Sequence, residues 1–351
     1  MLAKLQSPLV HAIAEAVCMS RAEAQPTWIA DRPAQRAAAP ALKAEARAVH
    51  FNTGNAFNLK LPEVPDQSFT DEPARALDPA TPTGLIACDR SAQLATAFPA
   101  TTPLVLARYA RIRAGESLPV RFEASGVICY VISGSGVTDC MPCSTTDNTT
   151  DNTTDGPPEQ IVWQAGDMFV LPGAVPQIHR AGGEDAVLWI VTNEPQLAFE
   201  RLRGPAAGDA PTEAVHFPAA EIERQIDLLY AVGRGNDIAG SALIFSSTRQ
   251  EASRNVLPTL TVAMNSLPPG ATQRLHRHNS VAVSLLIVGE GCHSMVDGRR
   301  KDWSQWATTV TPPTAMHSHS NGGGKRAMFL IVQDGGLYHH TRALGFAFAE
   351  T

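Results

Sequence analysis

Two pairs of histidines are spaced so that both members of each pair would face the same side of a β-strand. His276 and His278 flank Arg277 in the stretch LHRHNS, and His317 and His319 flank a serine in AMHSHS. Alternate side chains of a strand lie on one face of the sheet, so each pair would present two imidazoles together. Imidazole is a common ligand of first-row transition metals. The spacing therefore predicts a metal site if both strands belong to one barrel.

The strands that must position these histidines belong to a pattern that occurs twice. From about residue 102 onward, short apolar runs end in Gly, Pro or Asn, as in GVICYVISGSG and VAVSLLIVGEG, which is typical of short strands with tight turns. Three glycines repeat at a constant offset of 155 residues: Gly115 with Gly270, Gly134 with Gly289, and Gly136 with Gly291. Pro172 matches Pro312 and His179 matches His319 at an offset of 140 residues. We therefore predict an all-β chain with two copies of one domain.

The two offsets differ by 15 residues, and the extra residues fall in the first copy. They coincide with CSTTDNTTDNTTDGPPEQ, a polar low-complexity stretch that cannot form a core. We predict a disordered insertion at about 140–160. The predicted domains are an N-terminal helical arm (1–48), an N-terminal barrel (49–200), a linker with an amphipathic helix (201–235) and a C-terminal barrel (236–351).

The metal site is predicted in the second copy alone. At the constant offsets, His276 corresponds to Arg121, His278 to Glu123 and His317 to Gln177 of the first copy. Of these four positions, only that of His319 also holds a histidine in the first copy, His179. Guanidinium does not ligate metals, and Glu123 would pair with Arg121. The N-terminal barrel is therefore predicted to be metal-free and structural, and binding of a small molecule there stays open.

Composition and charge exclude several classes of function. A formal charge of −6 and a pI near 6.0 give no polycationic surface for nucleic acid or anionic lipid. No apolar run approaches the ~20 residues of a membrane span. Six cysteines are too few for a disulfide scaffold, and CMPC (Cys140 and Cys143) lacks the second pair that a zinc knuckle needs. These features predict a cytoplasmic protein without nucleic-acid or membrane partners.

The order of the motifs resembles that of a known family. One series of motifs resembles the cupin double motif: a strand, then PG, H-x-H and GEG, and later PP followed by a histidine. The duplication of this series resembles a bicupin. The stretches LPPGATQRLHRHNSVAVSLLIVGEG, TPPTAMHSHSNGG and FLIVQDGGLYHHTRALGF are similar to the gentisate/salicylate 1,2-dioxygenase group. The resemblance covers most of 100–200 and 240–351. The predicted fold class is all-β, with two tandem cupin (jelly-roll β-barrel) domains and short N-terminal and linker helices.

The resemblance implies a non-haem Fe(II) dioxygenase that uses dioxygen to cleave a hydroxylated aromatic ring, such as that of gentisate, a salicylate or a hydroquinone. Another divalent metal stays open, because three imidazoles also suit Zn, Cu or Ni. His276, His278 and His317 would be the ligands, and the glutamate that most cupins add is replaced by Ala282, as in gentisate-type sites. His319 would hydrogen-bond the substrate or transfer a proton. Such bicupins are homo-oligomers, either dimers or tetramers.

Two features depart from the gentisate-type pattern. The iron of that family usually lies in the first barrel. The family also has an arginine eight residues after the first ligand histidine, which binds the substrate carboxylate, and here that position is Ser284. Strand alternation would place Arg274 on the ligand face, so Arg274 is the candidate replacement. For Trp303 and Trp306 packing is the default role, and one of them is a candidate for the substrate pocket.

Two other classes of function remain open at the level of sequence. The absence of arginine at position 284 is compatible with another metal cupin, such as an oxygenase of diketones, thiols or flavonol-like compounds, or an isomerase. A small-molecule-binding bicupin without turnover is the second alternative, although no DNA-binding motif or basic patch supports a regulatory role. Analysis of the bound metal would separate this alternative from the enzymes.

Overall fold

A computed structural model describes residues 27–140, 159–205, 209–232 and 240–349. Residues 1–26 of the predicted N-terminal helical arm and most of the predicted insertion, including Cys143, lie outside these residues. Strands dominate the described chain and helices are few and short, which confirms the all-β prediction. No helix of the described ranges is both long and apolar enough to cross a bilayer.

The chain divides into two compact units, Met1–Leu61 and Pro62–Thr351. The described part of the first unit has a single 3-10 turn, Ile29–Asp31, and one short helix, α1 (Lys43–Arg47). The Glu45 carboxylate accepts a hydrogen bond from the backbone N–H of Leu42 and so caps α1. Neither element contains a buried residue.

The second unit begins with strand β1 (Gln67–Phe69) and continues into the first barrel. The strands of this barrel are β2 (Gly84–Ala87), β3 (Leu106–Ile112), β4 (Ser117–Val120), β5 (Gly126–Ser133), β6 (Ser135–Cys140), β7 (Glu159–Gln164), β8 (Met168–Pro172), β9 (Gln177–Ala181), β10 (Ala186–Thr192) and β11 (Val215–Phe217). They form two antiparallel sheets of order β11-β8-β5-β10-β3-β2 and β4-β9-β6-β7. The helices of this region are α2 (Asp71–Leu77), α3 (Ser91–Leu94), α4 (Glu194–Glu200) and α5 (Ala219–Tyr230).

The second barrel repeats this arrangement. Its strands are β12 (Ser241–Phe245), β13 (Thr261–Leu267), β14 (His276–His278), β15 (Ala282–Val288), β16 (Cys292–Val296), β17 (Arg299–Asp302), β18 (Thr308–Thr311), β19 (His317–Asn321), β20 (Ala327–Gln333) and β21 (Phe346–Phe348), with helix α6 (Gly335–Thr341) before β21 and a 3-10 turn at Thr248–Gln250. The sheets have the order β1-β18-β15-β20-β13-β12 and β17-β16-β19-β14-β21. Two sheets per copy confirm the predicted duplication.

Two edge strands cross the domain boundaries predicted from sequence. Strand β1 precedes the first barrel in the chain but pairs with β18 of the second, and β11 lies in the predicted linker but pairs with β8 of the first. Each strand covers an edge that would otherwise expose unpaired backbone groups. The boundaries themselves remain predictions.

The two barrels differ in how their interiors are filled. Buried apolar side chains, including Phe122, Trp163 and Phe169, occupy the interior of the first barrel. A much smaller cluster around Phe329 occupies the second. A third cluster lies between the six-stranded sheets, where Trp189 Nε1 of the first barrel donates a hydrogen bond to Thr308 Oγ1 of the second at 2.9 Å. The first barrel is therefore packed, and the second retains space inside.

Candidate metal centre

Three histidines meet inside the second barrel. Strand β14 pairs antiparallel with β19, and this register sets His276 opposite His317. The ring centroid of His317 lies 4.3 Å from that of His276 and 4.8 Å from that of His278. One nitrogen of each ring lies within 4.8 Å of the corresponding nitrogen of the others, and all three residues are buried. Strand alternation and one strand pair thus assemble the three predicted ligands.

Backbone carbonyls fix the orientation of all three rings. Each Nδ1 lies within hydrogen-bond distance of a backbone carbonyl oxygen. The distance is 2.7 Å from His276 Nδ1 to the oxygen of Arg274, 2.8 Å from His278 Nδ1 to that of Ser280, and 2.9 Å from His317 Nδ1 to that of Ala315. A carbonyl oxygen only accepts hydrogen bonds, so each Nδ1 carries the proton and each Nε2 keeps its lone pair. The amide Nε2 of Gln333, 3.2 Å from Nε2 of His278, donates to that lone pair, and a bound metal would replace this hydrogen bond. The three rings are therefore prepared to coordinate a metal through Nε2.

The surroundings of the cluster keep the imidazoles neutral. Burial, and to a smaller extent the neighbouring His276 and His278, lower the pKa of His317 to about 3. Burial also lowers the pKa values of His276 and His278. Neutral imidazole is the form that binds metals, so protons compete weakly for the site.

The set of donors fits a divalent transition metal with open coordination positions. The three candidate donors are neutral imidazole nitrogens, and no carboxylate lies among the described residues that line the cavity around them. Ala282, at the position of the usual cupin glutamate, lines this cavity too. Three facial ligands leave positions on the cavity side for other molecules.

His319 lies beside the cluster but differs from it in its hydrogen bonds. Its Nδ1 is 2.7 Å from the hydroxyl oxygen of Ser294, and this oxygen accepts a hydrogen bond from Trp303 Nε1 at 2.8 Å. The Trp303 ring packs against both His319 and Phe329, at centroid distances of 5.8 and 4.9 Å. Burial lowers the pKa of His319 well below that of an ordinary histidine. His319 is thus a neutral residue next to the three ligands.

The cluster opens into a cavity of about 400 Å³. This volume lies in the range of small-molecule sites. Ser284, at the position of the family arginine, lines the cavity. Phe346 of the last strand forms part of its wall, because β21 pairs with β14 and places the Phe346 ring 5.3 Å from that of His276. This wall could not be predicted from the sequence, since FAF is too short a pattern to predict a strand.

Three of the predicted substrate-binding residues lie outside this cavity. Arg274 is exposed, and its guanidinium lies 3.9 Å from the ring centroid of Phe348; its neighbour Gln273 lines the cavity instead. The strand begins only at His276, so strand alternation does not extend back to these residues. Trp303 lies behind His319, and Trp306 packs against the core between the barrels.

Sequence reasoning also missed two residues that line the cavity. Arg254 is the only guanidinium or ammonium group among the described lining residues, and it makes no ion pair or hydrogen bond through its side chain with the described chain. His339 lines the cavity from α6, and its Nδ1 is 3.1 Å from the backbone oxygen of Ser253. Both positions depend on how a loop and a helix pack onto the barrel, which no local pattern reveals.

The equivalent positions of the first barrel form no such cluster. Arg121 and Glu123 form an ion pair at 3.4 Å, as expected from the sequence. Gln177 is fully buried and donates to the backbone oxygen of Pro172. Burial lowers the pKa of His179 to about 4. Among the described residues, the three histidines of the second barrel are the only cluster of possible metal ligands.

Asp334 links α6 to β15 near the site, and its ionisation should make stability depend on pH. Its carboxylate accepts a hydrogen bond from the backbone N–H of Val281, but burial raises its pKa from the ordinary 3.8 to about 6. The folded state therefore binds this proton more tightly than the unfolded state. This contribution to stability is complete below about pH 4 and is lost as the pH rises through 6, by roughly 3 kcal/mol.

We expect Asp334→Asn, which keeps an acceptor for Val281, to remove this part of the pH dependence. Urea unfolding of both proteins between pH 4.5 and 8 measures it. The variant should gain stability relative to the wild type as the pH rises. An identical dependence on pH in the two proteins would contradict the assignment.

Comparisons with known proteins agree with this fold. No family model matches the chain. A gentisate 1,2-dioxygenase of a Ralstonia species is 32% identical over 82 residues, which are 23% of this chain and 23% of that protein. The gentisate 1,2 dioxygenase 1 of Aquipseudomonas alcaligenes is 26% identical over 88 residues, 25% of each. The chain thus spans about a quarter of the length of the curated relatives it matches.

Solved structures match over most of the chain. The salicylate 1,2-dioxygenase of Pseudaminobacter salicylatoxidans has a TM-score of 0.66 and 10% identity, covering 84% of this chain and 91% of that one. The same enzyme with gentisate has a TM-score of 0.65 and 9% identity, covering 85% and 89%. The chain therefore has the two-barrel cupin fold of that dioxygenase, and the resemblance seen in the sequence is confirmed.

Proposed function

We propose that this protein is a non-haem, metal-dependent dioxygenase that opens the ring of a hydroxylated aromatic compound in its second barrel. The observation that carries the proposal is the set of three Nε2 lone pairs directed into a cavity large enough for one small aromatic molecule. The similarity to gentisate dioxygenases and the fold of a salicylate dioxygenase support this chemistry.

Fe(II) is the metal we propose, held by His276, His278 and His317. Bound iron would supply the redox chemistry that lets dioxygen react with an aromatic ring. The protein residues would hold the metal on one face, leave the cavity face open, and exclude bulk water through the buried surroundings of the three rings.

A positive charge in the cavity favours a substrate that carries a carboxylate. Arg254 lines the cavity without a partner of its own among the described residues, and no described carboxylate lines it. A substrate carboxylate would therefore find one guanidinium available for a charge-assisted hydrogen bond. We propose that Arg254 takes the role of the family arginine that Ser284 replaces.

A second polar group is available for a substrate hydroxyl. The side chain of Gln273 is 5% exposed and lines the cavity, and its Oε1 has no hydrogen-bond partner in the described structure. A buried acceptor left unpaired costs about 1–3 kcal/mol, which a hydroxyl donor would recover. Arg254 and Gln273 together fit a hydroxylated aromatic acid.

The thiols described by the structure fit a reducing compartment. Among the described residues, Cys88, Cys129 and Cys292 are buried free thiols. We propose a cytoplasmic enzyme. By analogy with bicupins of this type we also propose that it is a homo-oligomer, which light scattering of the purified protein would test.

Reconstitution with Fe(II) under anaerobic conditions tests the proposed function. The protein is then mixed with aerated buffer and gentisate, salicylates, hydroquinone or hydroxynaphthoates while oxygen is recorded with an electrode. We expect uptake of one O₂ per aromatic molecule lost, with a carboxylated substrate preferred. Iron bound at the three histidines without uptake on any of these compounds would contradict the proposal, whereas turnover of diketones or thiols would identify a different metal cupin.

A further inference from the structure

In one arrangement of the hydrogen bonds around His319, the Trp303 N–H and the Ser294 O–H both have an acceptor. Trp303 Nε1 can only donate, so Ser294 Oγ accepts this bond at 2.8 Å. Among the described residues the Ser294 hydroxyl has no acceptor other than His319 Nδ1, at 2.7 Å, so its proton is directed there. Nδ1 is therefore an acceptor, and a neutral His319 must carry its proton on Nε2.

This tautomer is opposite to that of the three proposed metal ligands. Their Nδ1 atoms donate to carbonyl oxygens and leave Nε2 with a lone pair. In His319, Nδ1 is occupied and Nε2 carries hydrogen, so neither nitrogen has a lone pair available for a metal. His319 lines the cavity together with the ligands.

We infer that Trp303 and Ser294 are positioning residues that hold His319 as a hydrogen-bond donor in the cavity, so that it neither ligates the metal nor accepts a proton at Nε2. On the proposed function, the Nε2–H group would donate to an oxygen of the substrate beside the three ligands. A fixed donor aimed at a developing negative charge stabilises it without reorganisation. The assignment of the tautomer itself does not depend on the reaction.

The first barrel contains the same three-residue chain without the ligands. Trp163 Nε1 donates to Thr138 Oγ1 at 2.9 Å, and this hydroxyl lies 2.7 Å from His179 Nδ1. There Nε2 of His179 is buried and unpartnered within the described structure, in a filled interior. The chain of hydrogen bonds is thus independent of the metal cluster, and the first barrel supplies a matched control.

NMR of histidine ring nitrogens tests the assignment directly. The zinc-loaded protein, which is diamagnetic, is labelled with ¹⁵N-histidine, and the His319 signal is assigned from its loss in His319→Gln. We expect the proton on Nε2 and an unprotonated Nδ1. A His319 with its proton on Nδ1 would overturn the inference, whether or not the protein is a dioxygenase.

Ser294→Ala tests the consequence for turnover. Without the hydroxyl, Nδ1 loses its donor, so the two tautomers should become mixed in the NMR spectrum and kcat should fall by about 10-fold or more, with metal content and KM nearly unchanged. Ser294→Thr should restore both properties, because threonine fills this position in the first barrel. Thr138→Ala, the matched control, should leave the His319 signal and kcat unchanged.

Two results would contradict the role of Ser294 in turnover. One is equal kcat for Ser294→Ala and the wild type. The other is an equal loss in Ser294→Ala and Thr138→Ala, which would indicate a general effect on barrel stability. A wild-type protein that shows the expected tautomer but no oxygen uptake would refute the proposed reaction and leave the tautomer assignment standing.

Discussion

Replacing His317 with alanine is expected to abolish metal retention and all turnover. His317 lies closest to both other ligands in the cluster, and each of the three rings is already fixed by a backbone carbonyl. Loss of a group that only orients a ligand typically weakens metal binding 10- to 100-fold, so loss of the ligand itself should exceed about 100-fold. Metal analysis after dialysis against a weak chelator measures the effect.

The first barrel supplies the control for this experiment. Gln177 occupies the position equivalent to His317 and is equally buried. Gln177→Ala therefore creates a comparable cavity in the first barrel, which is predicted to bind no metal. This variant should retain one metal per chain, whereas His276→Ala and His278→Ala should behave like His317→Ala. Equal loss of metal in Gln177→Ala would contradict the placement of the site in the second barrel alone.

Replacing Arg254 with glutamine is expected to raise KM for carboxylated aromatic substrates by about 100-fold. The guanidinium is the only cationic group among the described residues that line the cavity. Charge-assisted hydrogen bonds contribute roughly 1.5–3 kcal/mol, which corresponds to about 10- to 150-fold in binding. The comparison of gentisate with hydroquinone, its analogue without the carboxylate, isolates the contribution of this contact.

Arg277 provides the matched control for Arg254. It lies between two ligands on β14 but is exposed and does not line the cavity. Arg277→Gln removes the same charge and should leave the preference for gentisate unchanged. If Arg254→Gln raises KM for gentisate and for hydroquinone by the same factor, Arg254 does not bind the carboxylate.

The histidine cluster could be predicted from sequence because the spacing of residues within each strand determines which side chains share a face. Two H-x-H pairs and an internal repeat were sufficient, since strand alternation converts a spacing of two residues into a shared face. From the same repeat we predict that Arg121 and Gln177 occupy the first-barrel positions of two proposed ligands. The tandem cupin fold followed from the same motifs.

The walls of the cavity could not be predicted in this way. Arg274 was placed by extending strand alternation beyond the point where the strand begins, and the structure places Gln273 in the cavity instead. Arg254 lies in a loop and Phe346 in a three-residue strand, so their approach to the site depends on tertiary packing. The role of Ser294 requires the directions of two hydrogen bonds, which no spacing encodes.

Turnover under ¹⁸O₂ tests the central proposal most directly. The Fe(II)-loaded protein is supplied with its preferred hydroxylated aromatic acid, and the product is analysed by mass spectrometry, with Fe(II)-treated His317→Ala as the control. We predict a ring-opened product that contains both atoms of one O₂, and no product from the variant. A product with a single labelled oxygen and an intact ring, or equal turnover by His317→Ala, would contradict a ring-cleaving dioxygenase that uses this metal centre.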